Sequence, residues 1–321
     1  MRSDNTLYVV VPCYKEEEVL PETSKRLKAK LTALIAQGKI SPRSRILFVN
    51  DGSKDRTWPI IEELHAKDRI FSGVNLSRNR GHQNALLAGL MTAVQYADMM
   101  VSMDADLQDD IDAMDRMIDA YHEGCDVVYG VRSSRKTDSF FKRFTAESFY
   151  KLMKAMGVDI VFNHADYRLM SRRAVEGLAD FKEVNLFLRG IVPQIGYSWT
   201  TVEYERAKRF AGESKYPLKK MLSFAFDGIT SFSVKPLRLI LFLGGVIFAL
   251  SLVMLLWTLI RWIAGATVSG WASLMCSIWM IGGIQLLALG VIGEYIGKVY
   301  SEAKARPRFI IERVLNDKDN N

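Results

Sequence analysis

Asp104 and Asp106 stand one residue apart in "VSMDADLQDD" (101–110), directly after a short apolar run. Residues i and i+2 of a chain leaving a strand project to the same side, so these two carboxylates can reach one cation. Hard divalent ions such as Mg²⁺ and Mn²⁺ take oxygen ligands, commonly one or two carboxylates together with substrate phosphates. Gln108 can supply a further oxygen. A D-x-D pair alone is common by chance; its place at an expected strand end, opposite Asp51, is what points to a metal site. Asp109, Asp110 and Asp112 read differently. They open a helix, where acids face the macrodipole favourably, and are expected to be structural.

"NDGSKDRT" (50–57) has the composition of a tight turn in which Ser53 and Asp55 cap the following helix. Asp51 sits earlier, at the strand end, where it can accept hydrogen bonds from a base edge. No glycine-rich phosphate loop of the Walker or dinucleotide type is present, which argues against an NTPase or a dehydrogenase. A third cluster, "YERAKRFAGESKYPLKKM" (204–221), places six basic residues against one acid between Arg206 and Lys220. Leu218, Leu222, Ala225, Ile229 and Phe232 then fall on one helical stripe, the pattern of an amphipathic helix lying on a membrane surface. Either this is a general patch for anionic lipid, or Arg209 and Lys215 aim at a phosphate in the cleft. His82 and His164 are left outside the candidate site, because a lone histidine is more often a capping or packing residue.

The elements that must position these residues alternate. "LYVVVP" (7–12), "RILFVN" (45–50), "GVNLS" (73–77), "MMVSM" (99–103) and "DVVYG" (126–130) read as strands, and helical spacing falls at 16–36, 57–67, 82–96 and 111–122. This alternation predicts an α/β domain with a mainly parallel sheet covered on both faces. Ligands of such sheets sit at the carboxyl ends of the strands. That rule gathers Pro12-Cys13-Tyr14, Asn50 to Ser53, and Asp104 to Asp106 on one rim, around a nucleotide-sized cleft.

The chain continues beyond that domain. Leu239–Ile260 and Trp262–Gly293 are runs of 22 and 32 residues without a charge, and a bilayer core of about 30 Å needs ~20 apolar residues as helix. Two spans are expected, the second over 271–293. Lys235 and Arg238 precede the first, and Lys298, Lys304, Arg306, Arg308 and Arg313 follow the second. Counted by the positive-inside rule, both termini and the catalytic domain are cytoplasmic, with Arg261 dissenting. The N-terminus lacks the apolar stretch of a signal peptide. The expected layout is a cytosolic domain over 1–205, a basic amphipathic segment over 206–236, a two-helix membrane hairpin over 237–297 and a cytosolic tail over 298–321, frayed at "NDKDNN". Three cysteines show no metal spacing, and disulfides are not expected in a cytosolic domain. The net charge of +7 is placed beside the membrane, where anionic headgroups explain it and nucleic acid is not required.

"VVPCYKEEE", "VNDGSKDRT", "LSRNRGHQNALLAGL", "MDADLQDD", "ADYRLMSRRAVEGL", "RFAGESKYPLKKM" and "GEYIGKVYSEAKARPRF" together resemble the polyprenyl-phosphate glycosyltransferases, in the same order from about Leu7 to Phe309. These include the bactoprenol glucosyltransferases and the related dolichyl-phosphate mannose synthase. The resemblance implies a GT-A (Rossmann-like) domain that moves a sugar from a nucleotide sugar to a membrane-embedded lipid phosphate, and a tetramer as its assembly. It implies that Pro12, Tyr14, Glu16, Val49 and Asp51 line the nucleotide pocket, with Ala105 contacting the nucleotide through its backbone. Asp104, Asp106 and Gln108 match the site of Mg²⁺ or Mn²⁺ and the diphosphate. Arg132, with Arg206, Arg209 and Lys215, matches basic residues around the phosphates. Lys15 and Asn50 depart from the asparagine and aspartate that many relatives carry, which leaves the metal site intact but bears on the nucleotide contacts. Asp166, in "ADYRLMSRR", matches a position near the acceptor, as base, sugar binder or orienter of Arg168; the plainer alternative is a structural ion pair with Arg168 or Arg172.

The chemistry implied is inverting transfer. Charge builds on the departing nucleoside diphosphate, and a bound metal with basic side chains offsets it. A phosphate monoester has its second pKa at about 6, so the acceptor oxygen needs no obligatory base. Transfer of glucose from UDP-glucose to undecaprenyl phosphate at the cytoplasmic (inner) membrane is the expected reaction. N-acetylglucosamine, mannose or an aminoarabinose derivative would serve the same chemistry. A processive polysaccharide synthase would need more spans and a Q-x-x-R-W motif, and the "RW" here, Arg261-Trp262, lies inside the hairpin.

Overall fold

The computed structural model describes residues 4–133, 164–184, 186–205, 230, 233–264 and 270–316. Contacts divide the chain into two compact units. One is residues 1–150, 159–217 and 306–321; the other is 151–158 and 218–305.

In the first unit the elements run β1 (Leu7–Cys13), α1 (Leu20–Ala36), β2 (Arg45–Asn50), α2 (Thr57–Lys67), β3 (Phe71–Leu76), α3 (His82–Ala93), β4 (Met99–Ser102), α4 (Ala113–His122), β5 (Val127–Arg132), β6 (His164–Ser171), α5 (Arg172–Ala179), α6 (Leu188–Gln194) and β7 (Trp199–Tyr204). The first nine were legible from the sequence, because each strand is a short β-branched or apolar run and α1 and α4 each bury one stripe, while α3 is apolar and buried over most of its surface. In α1 that stripe is Leu20, Leu27, Leu31 and Leu34, all wholly buried, each adding about 1.5–3 kcal/mol of hydrophobic burial. α1 starts at Leu20 rather than at Glu16. Pro21 sits in the first turn, the position where its missing N–H costs nothing.

The sheet has eight strands in the order β7-β5-β6-β4-β1-β2-β3-β8, where β8 is Ile311–Leu315. β1 pairs in parallel with β2 and β4, β2 with β3, and β5 with β7. β6 is antiparallel between β4 and β5, and β8 is antiparallel on β3. The domain is thus a GT-A-type, mostly parallel sheet, with antiparallel strands where later segments return to it.

The segment expected as a cytosolic tail over 298–321 contains a strand of the sheet. Residues 311–315 close the β3 edge, where an unpaired strand would expose a row of backbone donors and acceptors. Asn75 Nδ2 donates to Glu312 Oε2 at 2.8 Å and Arg313 Nη1 to Glu62 Oε1 at 2.6 Å, while Arg308 donates to the carbonyl of Phe181.

The second unit holds α7 (Lys235–Ile263) and α8 (Trp271–Ala303). They contain segments of mean hydropathy 2.4 (Lys235–Met254) and 1.5 (Met280–Ala303), long and apolar enough to cross a membrane and not buried within the chain. The expected amphipathic segment and the link around Ala264–Gly270 fall largely outside the described residues.

Candidate active site

The carboxyl ends of β1, β2, β3 and β4 lie side by side. At β4, Met103 N–H donates to the Val10 carbonyl at 3.2 Å, and from there the chain alternates. Met103, Ala105, Leu107 and Asp109 are buried, whereas Asp104, Asp106, Gln108 and Asp110 are part-exposed. Three side chains tie this stretch to the fold. Thr23 Oγ1 of α1 donates to the Ala105 carbonyl at 2.7 Å, Tyr167 of β6 donates its hydroxyl to the Asp110 carbonyl at 3.0 Å, and Tyr204 of β7 donates its hydroxyl to Asp109 Oδ1 at 2.5 Å. The two tyrosines meet edge to face, with centroids 5.3 Å apart. Leu107 takes a left-handed turn at φ 56°. Burial thus alternates past the end of the strand ladder, with Asp104, Asp106 and Gln108 among the part-exposed residues.

Asp109 corrects the reading of it as a helix-opening acid. α4 starts at Ala113, and Asp109 is 5% exposed beneath the loop. Burial, with the charge of Asp104 adding to it, pushes its carboxyl up to about 6 against the pull of the Tyr204 hydrogen bond. Arg132, ending β5, draws both Asp109 and Tyr204 downward by its charge. Ser53 is corrected too. Its Oγ accepts from Lys15 N–H at 3.0 Å and joins the β1–α1 loop to the β2–α2 loop, while Asp55 Oδ1 accepts from Thr57 N–H at 3.2 Å at the start of α2.

Asp51 is 2% exposed. Its Oδ1 accepts from Arg80 N–H at 2.7 Å and its Oδ2 from Gly81 N–H at 2.9 Å. Burial raises its pKa and these two donors oppose the rise. Its carboxylate thus shapes the β3–α3 loop. Gly52, at φ +61°, packs so closely on that loop that a Cβ would lie 2.5 Å from Arg78 C and Asn79 N. Val49 is wholly buried against Gly89 of α3, so its side chain belongs to the core. Pro12 is buried in β1, Glu16 is part-exposed with its N–H donating to Thr57 Oγ1 at 3.0 Å, and Tyr14 is 45% exposed on the rim.

Asp166 lies on β6 with 14% of its side chain exposed. Arg168 Nη2 donates to its Oδ1 at 2.9 Å; Arg189 donates from Nε to Oδ1 at 3.1 Å and from Nη2 to Oδ2 at 3.0 Å. Burial works to raise the carboxyl, but the Arg189 and Arg168 guanidiniums hold it far below the usual carboxylate range. Of the two expected partners, Arg168 is correct, and Arg172 instead pairs with Asp98 at 3.1 Å. His82 Nε2 lies 3.5 Å from Asp104 Oδ1 and 3.9 Å from Asp166 Oδ2, so a histidine set aside on its sequence bridges the two acids. The carboxyl of Asp104 is pushed up by burial, with His82 opposing and Asp166 and Asp106 adding. With 40% of that side chain exposed, the neighbouring negative charges are the firmer cause. Arg189 carried no sequence signal: "NLFLRG" has no distinctive spacing, and the residue meets Asp166 only through folding.

Among the described residues, no group of three or more His, Cys, Asp or Glu side chains converges with metal-ligand geometry. The set on offer is two carboxylates and one amide, Asp104, Asp106 and Gln108. These are hard oxygen donors, of the kind that suits a divalent ion completing its shell from substrate phosphates. Arg206, Arg209 and Lys215 lie outside the described residues.

The Glycosyl transferase family 2 profile matches residues 8–178, and that of the GtrB C-terminal hairpin matches residues 235–299. The glycosyltransferase YkoT of Bacillus subtilis (strain 168) is 53% identical over 311 residues, 97% of this chain and 92% of its own. The prophage bactoprenol glucosyl transferase homolog of Escherichia coli (strain K12) is 41% identical over 95% of this chain and 98% of its own, and the bactoprenol glucosyl transferase of Shigella phage SfII 40% over 95% and 97%. Among solved structures, glucosyl-3-phosphoglycerate synthase of Mycobacterium tuberculosis aligns at 17% identity and a TM-score of 0.46, over 70% of this chain and 78% of that one. The chain belongs to glycosyltransferase family 2, as a glycosyltransferase with a GtrB-type C-terminal hairpin and a homologue of the bactoprenol glucosyltransferases.

Proposed function

We propose that the chain transfers glucose from UDP-glucose, with inversion, onto polyprenyl phosphate at the cytoplasmic face of the membrane. The observation that carries this is near-full-length similarity, hairpin included, to proteins named for glucosyl transfer to bactoprenol. Two helices apolar enough to cross a bilayer and flanking lysines and arginines support membrane anchoring with the catalytic unit on the cytoplasmic side.

Asp104, Asp106 and Gln108 are the residues that would hold Mg²⁺ or Mn²⁺, which when bound supplies positive charge to the leaving diphosphate. Tyr14, Glu16 and Asp51 shape the rim that takes the nucleotide. Arg132 adds charge beside the diphosphate, and Arg206, Arg209 and Lys215 are assigned to the phosphates, with Lys215 on the acceptor. An acceptor phosphate oxygen forms the new bond to the anomeric carbon as the bond to the nucleoside diphosphate breaks. Because that oxygen is already deprotonated at neutral pH, Asp166 is assigned to binding and orientation rather than obligatory proton removal.

The test is a panel of radiolabelled nucleotide sugars incubated with undecaprenyl phosphate and the detergent-solubilised chain. Label should enter the lipid fraction from UDP-glucose and stop when the divalent ion is chelated. Preferential transfer from another nucleotide sugar would overturn the donor, and transfer undiminished by chelator the metal. Lys215→Ala should raise the KM for lipid more than that for donor; equal changes would overturn its assignment.

A further inference from the structure

We propose that Arg189 is a positioning residue of the transfer reaction, acting through Asp166: its forked guanidinium fixes the carboxylate in one orientation, facing His82 and Asp104. This rests on the reading of the site as the transfer centre.

The carboxylate is held from two elements, and a third fixes the start of one of them. On β6, Arg168 follows two residues after Asp166 and so projects to the same face. It is 1% exposed, donating Nη2 to Asp166 Oδ1 at 2.9 Å and Nη1 to the Leu188 carbonyl at 3.4 Å. On α6, Arg189 grips both oxygens, Oδ1 at 3.1 Å and Oδ2 at 3.0 Å. On α3, Gln83 Oε1 accepts from Leu188 N–H at 3.0 Å, which ties the first turn of α6 to the helix whose first residue is His82. The Asp166 backbone is also pinned, since Ser102 Oγ at the end of β4 donates to its carbonyl at 2.6 Å.

Neutralising one carboxylate needs one guanidinium, and Arg168 supplies it from the buried side. The second guanidinium adds direction. It engages Oδ2, the oxygen that His82 approaches at 3.9 Å, while the same imidazole nitrogen stands 3.5 Å from Asp104. A planar fork with two parallel N–H donors sets the plane of a carboxylate, whereas a lysine ammonium is a point charge that does not. A misplacement of about 1 Å in such a group can cost on the order of 10²-fold in rate. Arg189 therefore controls where the Asp166 oxygens lie relative to the expected metal ligand Asp104.

The test is a double-mutant cycle in the full chain: parent, Asp166→Asn, Arg189→Lys and the double variant. kcat and donor KM are measured for each, with kcat corrected for the fraction of chains that bind nucleotide sugar. Arg189→Lys should lower kcat on the order of 30-fold and change donor KM less than about 3-fold. In the Asp166→Asn background the same substitution should change kcat by less than about 3-fold, because the group it positions is gone. Equal factors in both backgrounds, or a loss confined to KM, would overturn the proposal. Should Arg189→Lys fail to fold, Arg189→Gln is used under the same criteria. Failure of the parent chain with UDP-glucose would overturn the donor assignment alone, since the cycle runs with whichever sugar is transferred.

Discussion

The hydroxyl of Tyr204 donates to Asp109 Oδ1 at 2.5 Å, linking the outermost strand of the sheet to the acid three residues beyond Asp106. That contact, with those from Thr23 and Tyr167, turns a run of acids into an ordered alternation. Buried and part-exposed residues alternate from Met103 to Asp110, and the buried acid is the one that Tyr204 holds.

Tyr204→Phe should destabilise the catalytic unit. Deleting the donor removes a hydrogen bond from a buried carboxylate, at a cost of about 1–3 kcal/mol. Thermal unfolding of the solubilised chain checks this, and an unchanged Tm would mean that the bond contributes nothing.

Asp104→Asn should separate stability from activity. Asp104 is crowded by the charges of Asp106 and Asp166, so neutralising it in metal-free protein should raise Tm. Transfer should fall about 10²–10³-fold, as when an electrostatic stabiliser of a transition state is removed. A variant that loses stability in chelator, or keeps its transfer rate with metal, would contradict this.

Gly52→Ala should damage the nucleotide rim without touching a polar ligand. The new Cβ would meet the backbone of Arg78 and Asn79 at 2.5 Å in a left-handed conformation. Strain alone costs about 1–3 kcal/mol, and displacement of the loop would also free Asp51 from Arg80 and Gly81. Calorimetric titration with nucleotide sugar should show weaker binding together with a lower Tm; parent-like values in both would refute the close approach.

Asp126 gives a pH signature away from the cleft. It accepts from Arg173 and from the hydroxyls of Ser171 and Ser198, at 2.9 and 2.8 Å. The Arg173 bond leads in holding its pKa below the ordinary value. A depressed carboxylate stabilises the fold above its unfolded pKa of about 3.9 and loses that contribution as pH falls through its lower folded value. Because Arg173 is largely exposed, solvent screening keeps that contribution small. The Tm difference between the parent chain and Asp126→Asn should be open at pH 6–8 and close below about pH 4. A gap independent of pH would contradict the assignment.

Much of this molecule is local. β1 to β5 and α1 to α4 are written as runs and stripes of apolar residues within single windows, since hydrophobic periodicity is a property of neighbours in the chain. The same holds for the two long uncharged segments. What folding decided involves residues far apart in sequence. β8 reaches β3 from more than two hundred residues away, and β6 runs antiparallel between β4 and β5 although it follows both. Asp109 leaves the helix it precedes for a buried bond to Tyr204. Arg189 and His82 join Asp166 from separate helices. These pairings depend on which edges and buried charges remain unsatisfied once the local elements have packed, and no window of the chain contains that information.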